Sequence, residues 1–327
     1  MIIINYFCNI IQMQLNNDIC CKITSYLYKP HYELLEWIPI DKLNNLYLSS
    51  NPNAIDILAQ NPEEIDWRIL SYNQNAIELL TKKYYNIDWF GLSYNPNAIK
   101  LLTENQDKIN WSNLSSNPNA INLLKQNIDK IDWDKLSTNP NAIDILNSNI
   151  NKINWFKLSV NPNAIKIIEQ HLHLVDWSQL SKNPNAIHIL EQNYNKIDWF
   201  CISYNPNAIH LLKNNKDKIN WYWLSNNYNG IEILHEYLLN DENKINWTWL
   251  STSTNPKTIQ LFLENIVIIK DKLNWSNLSA NPAAIELLKQ NQDKIDWVQL
   301  SLNSSIFKLC DYSDNITKVL NLVLTNE

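Results

Sequence analysis

The sequence predicts an all-α protein, an α-solenoid formed by a superhelical stack of about twelve two-helix repeats. First, the eight tryptophans from Trp67 to Trp221 are each 22 residues apart. Second, the phrase Asn-Pro-Asn-Ala-Ile occurs seven times. Third, only two glycines occur in 327 residues, whereas a β-rich fold with tight hairpins needs glycine at positive φ. A fixed period of about 20–50 residues is typical of a solenoid, a propeller or an array.

The tryptophan spacing also predicts the domain organisation. Trp247, Trp275 and Trp297 continue the series, and Asn45 stands one period before Trp67. Twelve repeat starts follow from this count. We expect an N-terminal leader and capping helix at 1–32, a repeat solenoid at 33–303 and a C-terminal capping helix at 304–327.

Residues 111–132 show the parts of one repeat. A short helix A, either an α-helix or a 3₁₀ turn, begins at Trp111, after Asn110 in the N-cap position. Asn117 is expected to cap a second helix, helix B, because proline is favoured at the first helical position that follows it. Asn127 is expected to end helix B, about ten residues later, in the left-handed conformation.

Apolar side chains at helical spacing define the face of each repeat that should be buried. They are Trp111, Leu114, Ala120, Ile121, Leu124 and Ile131. One repeat cannot bury enough of this surface to offset the conformational entropy of folding, so stacked neighbours must cover it. With helices ~8–10 Å apart, twelve repeats predict a curved rod on the order of 100 Å long.

The period breaks twice, between Trp221 and Trp247 and between Trp247 and Trp275. The phrase itself changes to Asn-Tyr-Asn-Gly-Ile at 227–231. Insertions in solenoids bulge on one side, so a kink or a binding loop is expected near 226–274. The alternative is a neutral extension of the surface.

Composition and charge limit the classes of partner. The chain is 45% hydrophobic and 18% charged, which is typical of a folded protein with a large core. Its net charge of −6 and its lack of a Lys/Arg run argue against nucleic acid as a main partner. No segment predicts a membrane span, and five irregularly spaced cysteines favour a reducing, cytoplasmic location.

No catalytic, cofactor-binding or metal-binding residues are predicted, and we expect a protein that is not an enzyme. His171 and His173 have no cysteine or carboxylate partner at zinc-ligand spacing. Aspartates before tryptophan, such as Asp132, alternate with asparagine in other repeats. An acid–base role would not survive that exchange, whereas helix capping does.

The positions that vary between repeats carry additional aromatic residues. They lie in the two positions after tryptophan and in the position before Asn-Pro, and they concentrate at 200–249. Clustered Tyr and Trp are common anchors of protein interfaces. The predicted partner-binding residues are Phe200, Tyr204, Tyr222, Trp223 and Trp249. The alternative is that these side chains pack laterally between neighbouring A helices.

The joint pattern of Trp, Leu-Ser, Asn-Pro-Asn-Ala-Ile, Leu-Leu and Lys-Ile-Asp over 33–303 resembles the NPNAI-repeat proteins of giant viruses of amoebae, the mimivirus-like relatives. The opening "LLEWIPIDKLNNLYLSSNPNAI" at 34–55 is similar to the first repeat of such proteins. The resemblance implies a viral protein in the host cytoplasm. We expect a non-catalytic scaffold that binds host or viral proteins, with no cofactor.

The segment "LNNDICCKITSYL" at 15–27 resembles the start of an F-box, although Asn16 stands where that family usually has proline. The resemblance implies docking to a Skp1-type adaptor and an alternative function as a substrate receptor of a ubiquitin ligase. The residues that would dock are Leu15, Ile19, Ile23, Tyr26 and Leu27. The other interpretation of this segment is an amphipathic helix that caps the solenoid.

Overall fold

The computed structural model describes residues 31–238 and 241–310. The chain divides into a large unit, residues 41–305, and a small unit that contains residues 31–40 and 306–310. The large unit is built from α-helices in regularly alternating pairs, as the sequence predicts. We call the helix that starts each repeat the A helix and the one that follows it the B helix.

The A helices are one to two turns long. They are α1 (Asn45–Leu48), α3 (Trp67–Leu70), α5 (Trp89–Tyr94), α7 (Trp111–Ser116), α9 (Trp133–Ser137), α11 (Trp155–Ser159), α13 (Trp177–Lys182), α15 (Trp199–Ile202), α17 (Trp221–Ser225), α19 (Trp247–Leu250), α21 (Trp275–Ala280) and α23 (Trp297–Leu300).

The B helices are of similar length, with one exception, α20. They are α2 (Ile55–Gln60), α4 (Ile77–Lys82), α6 (Ile99–Glu104), α8 (Ile121–Lys125), α10 (Ile143–Asn147), α12 (Ile165–Gln170), α14 (Ile187–Gln192), α16 (Ile209–Lys213), α18 (Ile231–Leu234), α20 (Pro256–Ile269) and α22 (Ile285–Gln290). In most repeats a three-residue 3₁₀ helix, such as Ile128–Lys130, follows the B helix.

The N-caps of the A helices form as the sequence predicts. The Asp132 side chain accepts a hydrogen bond from the backbone N–H of Lys135 at 3.1 Å, and α9 starts at Trp133. Asn110 caps α7 in the same way, by accepting from the N–H of Asn113 at 2.9 Å. Aspartate and asparagine are interchangeable here because the cap needs only a side-chain oxygen.

The B helices are five or six residues long in most repeats, not the predicted ten. In the 117–127 segment, Asn117 accepts from the N–H of Asn119 at 3.0 Å, so it caps a Pro-Asn-Ala turn and the helix begins only at Ile121. The left-handed C-cap is also wrong, since Asn127 has φ −136°. Its amide instead donates to the Leu123 carbonyl at 3.0 Å, which satisfies a helix-end acceptor through the side chain.

Asparagine amides bond each repeat to the one before it. Asn139 is buried, and its Nδ2 donates to the carbonyls of Ser115 and Asn117, both at 3.0 Å. Asn141 donates in the same manner to Pro118 O at 3.0 Å. We call this series the asparagine ladder. It explains both asparagines of the repeated phrase, because each one satisfies backbone carbonyls of the neighbouring repeat.

The serine that follows leucine in each A helix adds a second inter-repeat bond. Ser115 Oγ donates to the Trp111 carbonyl at 2.8 Å and accepts from the N–H of Asp132 at 3.0 Å. The serine is fully buried, so both bonds are shielded from water. The serine of one A helix therefore fixes the position of the N-cap residue of the next A helix.

The core of each repeat contains most of the predicted residues, but tryptophan is half-buried. Leu114, Ala120 and Leu124 are fully buried, and Leu123 joins them although it was not predicted. Trp111 lies at the edge of this core, and the Lys130 ammonium lies 4.5 Å from its ring centroid. Lysine ammonium groups lie over most of the other repeat tryptophans in the same way, for example over Trp133 and Trp199.

The repeats of the large unit close into a ring, so the predicted open rod is wrong. Asn51 in the first repeat donates to the carbonyls of Ser301 and Asn303 in the last, at 2.9 and 3.1 Å. The N–H of Asn44 donates to Ser301 Oγ at 2.8 Å. Lys42 lies 4.6 Å from the centroid of the Trp297 ring. These contacts repeat those between internal neighbours, in the same register.

The insertions near 226–274 are accommodated partly by a longer helix. Helix α20 has 14 residues and continues through the inserted positions after Pro256. Where the phrase changes, the ladder continues, because Asn227 donates to Ser203 O at 3.0 Å and Asn205 O at 2.9 Å. In the next repeat Ser253 occupies the ladder position, so that repeat has no ladder amide there.

The small unit contains two antiparallel strands, β1 (Tyr32–Leu34) and β2 (Phe307–Leu309). Residues 304–309 form a 3₁₀ turn, Ser304–Ile306, followed by β2, so this part of the predicted C-terminal helix is not α-helical. A strand forms here because β1 supplies backbone partners, and Lys308 pairs with Glu33 at 3.1 Å across the strands. Residues 311–327 lie outside the described part of the chain.

Within residues 31–238 and 241–310, every helix is too short or too polar to cross a bilayer.

Candidate functional site

The A helices present a face of variable residues. In each A helix a leucine or isoleucine and the serine after it are buried. The first, second and fifth positions after the starting residue are exposed or half-buried, apart from Gly91 and Cys201, which are buried. We call the 36 residues at these positions in the twelve A helices the A face. Neighbouring repeats bring these positions together, since Asn113 Nδ2 donates to the Phe90 carbonyl at 2.9 Å.

The structure brings the five predicted aromatic residues together on the A face of helices α15, α17 and α19. We call them the aromatic cluster. The Trp223 ring is its centre, with centroid distances of 5.8 Å to Phe200, 5.8 Å to Tyr204 and 5.6 Å to Tyr222. Tyr222 also lies 6.2 Å from Trp249. All four contacts are edge-to-face, the geometry that aromatic pairs prefer.

The cluster has both packed and exposed members. Phe200 is 53% exposed, Tyr204 40% and Tyr222 48%, whereas Trp223 and Trp249 are half-buried. The predicted lateral packing between A helices therefore describes the two tryptophans, and three rings remain exposed around them. Whether a partner binds these rings stays a prediction.

Trp223 has a further property. Its indole Nε1 is the one buried side-chain nitrogen or oxygen in the described part of the chain without a hydrogen-bond partner. Leaving a buried donor unpaired costs roughly 1–3 kcal/mol. The centre of the aromatic cluster is therefore less well satisfied than the rest of the repeat core.

The A face of the preceding repeats is cationic, a feature that the sequence reasoning missed. Lys135, Lys157 and Lys182 occupy it in three consecutive repeats, and we call them the lysine row. Lys135 and Lys157 are exposed and Lys182 is half-buried. The signal was present in the sequence, because these lysines lie in the same variable positions as the aromatic residues.

Charge is distributed unevenly between the A face and the rest of the chain. The A face carries four cations, Arg68 and the lysine row, and one anion, Asp134, so its net charge is +3. The whole chain has a net charge of −6, which leaves −9 on the other residues. The A face is therefore a basic surface on an acidic protein.

Cys201 lies where the lysine row meets the aromatic cluster, and it is not suited to act as a nucleophile. Burial, with a contribution from Asp198, raises the pKa of the Cys201 thiol to about 11, although the Lys182 ammonium opposes the increase. A thiol with this pKa is almost fully protonated at neutral pH. Helix α15, which carries Cys201, packs directly on α13, which carries Lys182, so the lysine row and the cluster are contiguous.

The histidines make structural contacts. His171 Nδ1 lies 3.0 Å from the Ile167 carbonyl, and its ring packs against Trp155 at 5.3 Å and against His173 at 6.4 Å. In the portion of the chain that is described, no three His, Cys, Asp or Glu side chains come together as a metal site.

A groove of about 480 Å³ lies between the B helices α16, α18 and α20. Ile231 and Leu261 contribute its apolar lining, and charged side chains surround them. Lys213 and Glu232 pair with each other across part of it at 3.0 Å. The lysines and glutamates of its lining balance, two of each, whereas the A face has a net positive charge.

The predicted adaptor-docking residues, Leu15 to Leu27, lie outside the described residues, so the F-box resemblance stays a prediction. No protein-family model, no curated protein and no solved structure matches the chain.

Proposed function

We propose that this protein is a non-catalytic scaffold that binds other proteins through the A face of its repeat ring. The observation that supports the proposal is the aromatic cluster, in which three partly exposed rings surround two half-buried tryptophans. Aromatic side chains in such clusters provide much of the binding energy of protein interfaces, because they bury a large area with few rotatable bonds.

The arrangement of the repeat also supports this function. The repeated side chains are used for caps, ladder and core, so they cannot vary without a loss of stability. The A-face positions are outside that network and vary from repeat to repeat. A rigid frame with variable surface positions is the usual basis of recognition by repeat proteins.

Site-specific photo-crosslinking tests the proposal. The photoreactive residue p-benzoylphenylalanine replaces Tyr222 in the cluster or, as a matched control, Tyr85, which is 99% exposed in the 3₁₀ turn Tyr84–Asn86. We expect protein adducts from position 222 after irradiation in cells that express the full chain, and none of the same adducts from position 85.

A second variant assigns the adducts to the cluster. Phe200→Ala with Trp249→Ala removes two anchors and keeps the photoreactive residue at position 222. The adducts should be lost from this variant while its thermal melt remains cooperative. The same adducts from positions 222 and 85, or no adducts from either, would contradict binding through the A face.

A further inference from the structure

The A face carries two adjoining surfaces of different chemistry in six consecutive repeats. The lysine row occupies the A helices α9, α11 and α13, and the aromatic cluster occupies α15, α17 and α19. Helix α15 packs directly on α13, and the N–H of Asp198, the N-cap of α15, donates to Ser181 Oγ beside Lys182 at 3.1 Å. The two surfaces therefore form one continuous strip.

The strip is cationic at one end and uncharged and aromatic at the other. Asp134 is the one acidic residue on it, and it accepts a hydrogen bond from Asn154 Nδ2 at 2.9 Å. No A-face residue of α15, α17 or α19 carries a charge. A complementary ligand has carboxylates in one half and apolar or aromatic side chains in the other.

The length of the strip defines the length of the ligand. Neighbouring helices are ~8–10 Å apart, so the five steps from α9 to α19 span roughly 40–50 Å. An extended chain rises ~3.3 Å per residue, so about 12–15 residues cover the strip. One extended segment of this length can contact both surfaces.

Separation of the two surfaces favours a peptide over a nucleic acid. Single-stranded nucleic acids present a phosphate and a base at every nucleotide, so their sites interleave cations with stacking rings. Here cations and rings lie mainly in successive repeats, and Phe156 is the one aromatic ring among the lysines. A polypeptide can place its acidic and its apolar residues in separate halves.

We propose that the strip formed by the lysine row and the aromatic cluster binds an extended acidic segment of a partner protein. The acidic half of the segment lies along the lysine row, and the apolar half packs on the cluster. This inference rests on the proposed function, since it specifies the partner class for the same face.

Selection from a peptide library tests the inference without knowledge of the partner. Random 16-residue peptides displayed on phage are selected on the full-length chain, and labelled synthetic copies of the enriched peptides are measured by fluorescence anisotropy. We expect enriched peptides to be acidic in one half and apolar in the other. Their affinity should decrease as the salt concentration rises, because the exposed charges are screened.

Two triple variants with the same change in charge isolate the lysine row. The test variant is Lys135→Glu, Lys157→Glu and Lys182→Glu. The control, Lys100→Glu, Lys166→Glu and Lys289→Glu, places the same charges on exposed positions of B helices. The test variant should bind the peptides about tenfold or more weakly, and the control should bind them as the wild type does. A glutamine version of the test variant removes the cations without adding repulsion, and thermal melts verify folding.

The outcomes separate this inference from the proposed function. Peptides without an acidic half whose binding requires Phe200 and Trp249, but not the lysine row, would overturn the acidic-segment inference and leave the scaffold function intact. Peptides that bind equally well to all variants, including Phe200→Ala with Trp249→Ala, bind elsewhere on the chain and would overturn the inference. No enriched peptides would also overturn the inference alone, because photo-crosslinking from position 222 tests the scaffold function separately. Tighter binding of a labelled 20-nucleotide single-stranded RNA than of any peptide, lost in the test variant, would assign the strip to nucleic acid.

Discussion

The ladder asparagines show how much depends on one side chain. Asn139 uses its amide for two carbonyls of the previous repeat and its Oδ1 for the N–H of Asn141 in its own turn. These three bonds are made in a fully packed environment. Neither serine nor aspartate supplies two donors and an acceptor in this geometry, which explains why the repeated phrase begins with asparagine.

Asn139→Ala should therefore destabilise the protein by about 2–4 kcal/mol, because two buried carbonyls lose their donor. Urea unfolding followed by circular dichroism measures the change. Asn122→Ala is the matched control, because Asn122 lies exposed on helix α8 and should cost less than about 0.5 kcal/mol. Equal costs at the two positions would contradict a structural role for the ladder.

The aspartate caps give the protein a pH dependence of known sign. Burial acts to raise the pKa of Asp132, but hydrogen bonds from Ser112 and from the backbone outweigh it and hold the pKa below its ordinary value of 3.8. The pKa of Asp198 is lowered in the same way, with Ser178 as its partner. A lowered folded-state pKa stabilises the fold above the unfolded pKa, and this contribution is lost as the pH falls through the folded pKa.

We expect Asp132→Asn with Asp198→Asn to reduce the loss of stability between pH 6 and pH 3. Asparagine still caps the helix, as Asn110 does in α7, but it does not titrate. The free energy of unfolding at several pH values measures this difference. Asp107→Asn with Asp129→Asn, two exposed residues of 3₁₀ turns, is the control. The prediction is wrong if both pairs change the pH profile alike.

At the scale of elements, the repeat containing helix α20 departs from the rest. Ser253 occupies the ladder position, and its hydroxyl reproduces one function of asparagine by accepting from the N–H of Asn255 at 3.3 Å. It has no amide to donate to the preceding repeat. This repeat also carries Trp249, and the preceding repeat carries the unpaired indole of Trp223. The interface between these two repeats, beside the aromatic cluster, therefore lacks the two hydrogen bonds of a ladder amide.

Ser253→Asn should restore the ladder and stabilise the protein by about 1–2 kcal/mol, through hydrogen bonds to the Ser225 and Asn227 carbonyls worth ~0.5–1.5 kcal/mol each. The midpoint of urea unfolding should rise accordingly. Hydrogen exchange gives a local measurement, since amides of α17 and α19 should exchange more slowly in the variant while those of α9 and α11 do not change. No change in either measurement would show that the inserted residues hold Ser253 away from these carbonyls.

The elements also show what the sequence could predict. The starts of the A helices followed from Asp or Asn before tryptophan, because N-capping is local and depends on one side chain. The length of the B helices was not predictable from caps alone, since the asparagine cap serves the Pro-Asn-Ala turn first. Trp111 was predicted to be buried, but it is half-buried. The side chain over its ring is Lys130 at the far end of the repeat, and a contact between such distant residues is not visible in the local sequence.

The candidate site was predictable to a similar degree. The aromatic cluster could be predicted because its members share the variable positions of consecutive repeats, which any stacked fold places side by side. The lysines of the row also lie in these variable positions, but they were overlooked because the net charge of −6 is a sum over the whole chain. A charge count restricted to the A face reveals it.

At the scale of the whole ring, closure makes every repeat internal. Closure arises from a small rotation at each interface, which no single residue specifies. One signal was nevertheless present, since Asn51 and Asn303 keep ladder residues in the first and last repeats. An open solenoid would replace them by polar caps, because a terminal repeat has no neighbour to bond.

Asn51→Ala tests closure directly. In a ring its cost should equal that of Asn139→Ala, about 2–4 kcal/mol, because both side chains satisfy two carbonyls of a neighbouring repeat. In an open array Asn51 would have no preceding repeat and would keep only its bond to the N–H of Asn53, so its substitution would cost about 1 kcal/mol or less. Urea unfolding of the two variants under identical conditions decides between these outcomes.

A closed ring also limits how such a gene can change. Tandem repeats gain and lose copies readily when the gene recombines with itself, and an open array tolerates this because a longer stack is still a stack. Here the twelve repeats share one full turn. A thirteenth copy, or the loss of one, would leave Asn51 out of register with Ser301 unless every interface changed its angle. The geometry of closure therefore fixes the number of copies, whereas the A-face residues within each copy can change without opening the ring.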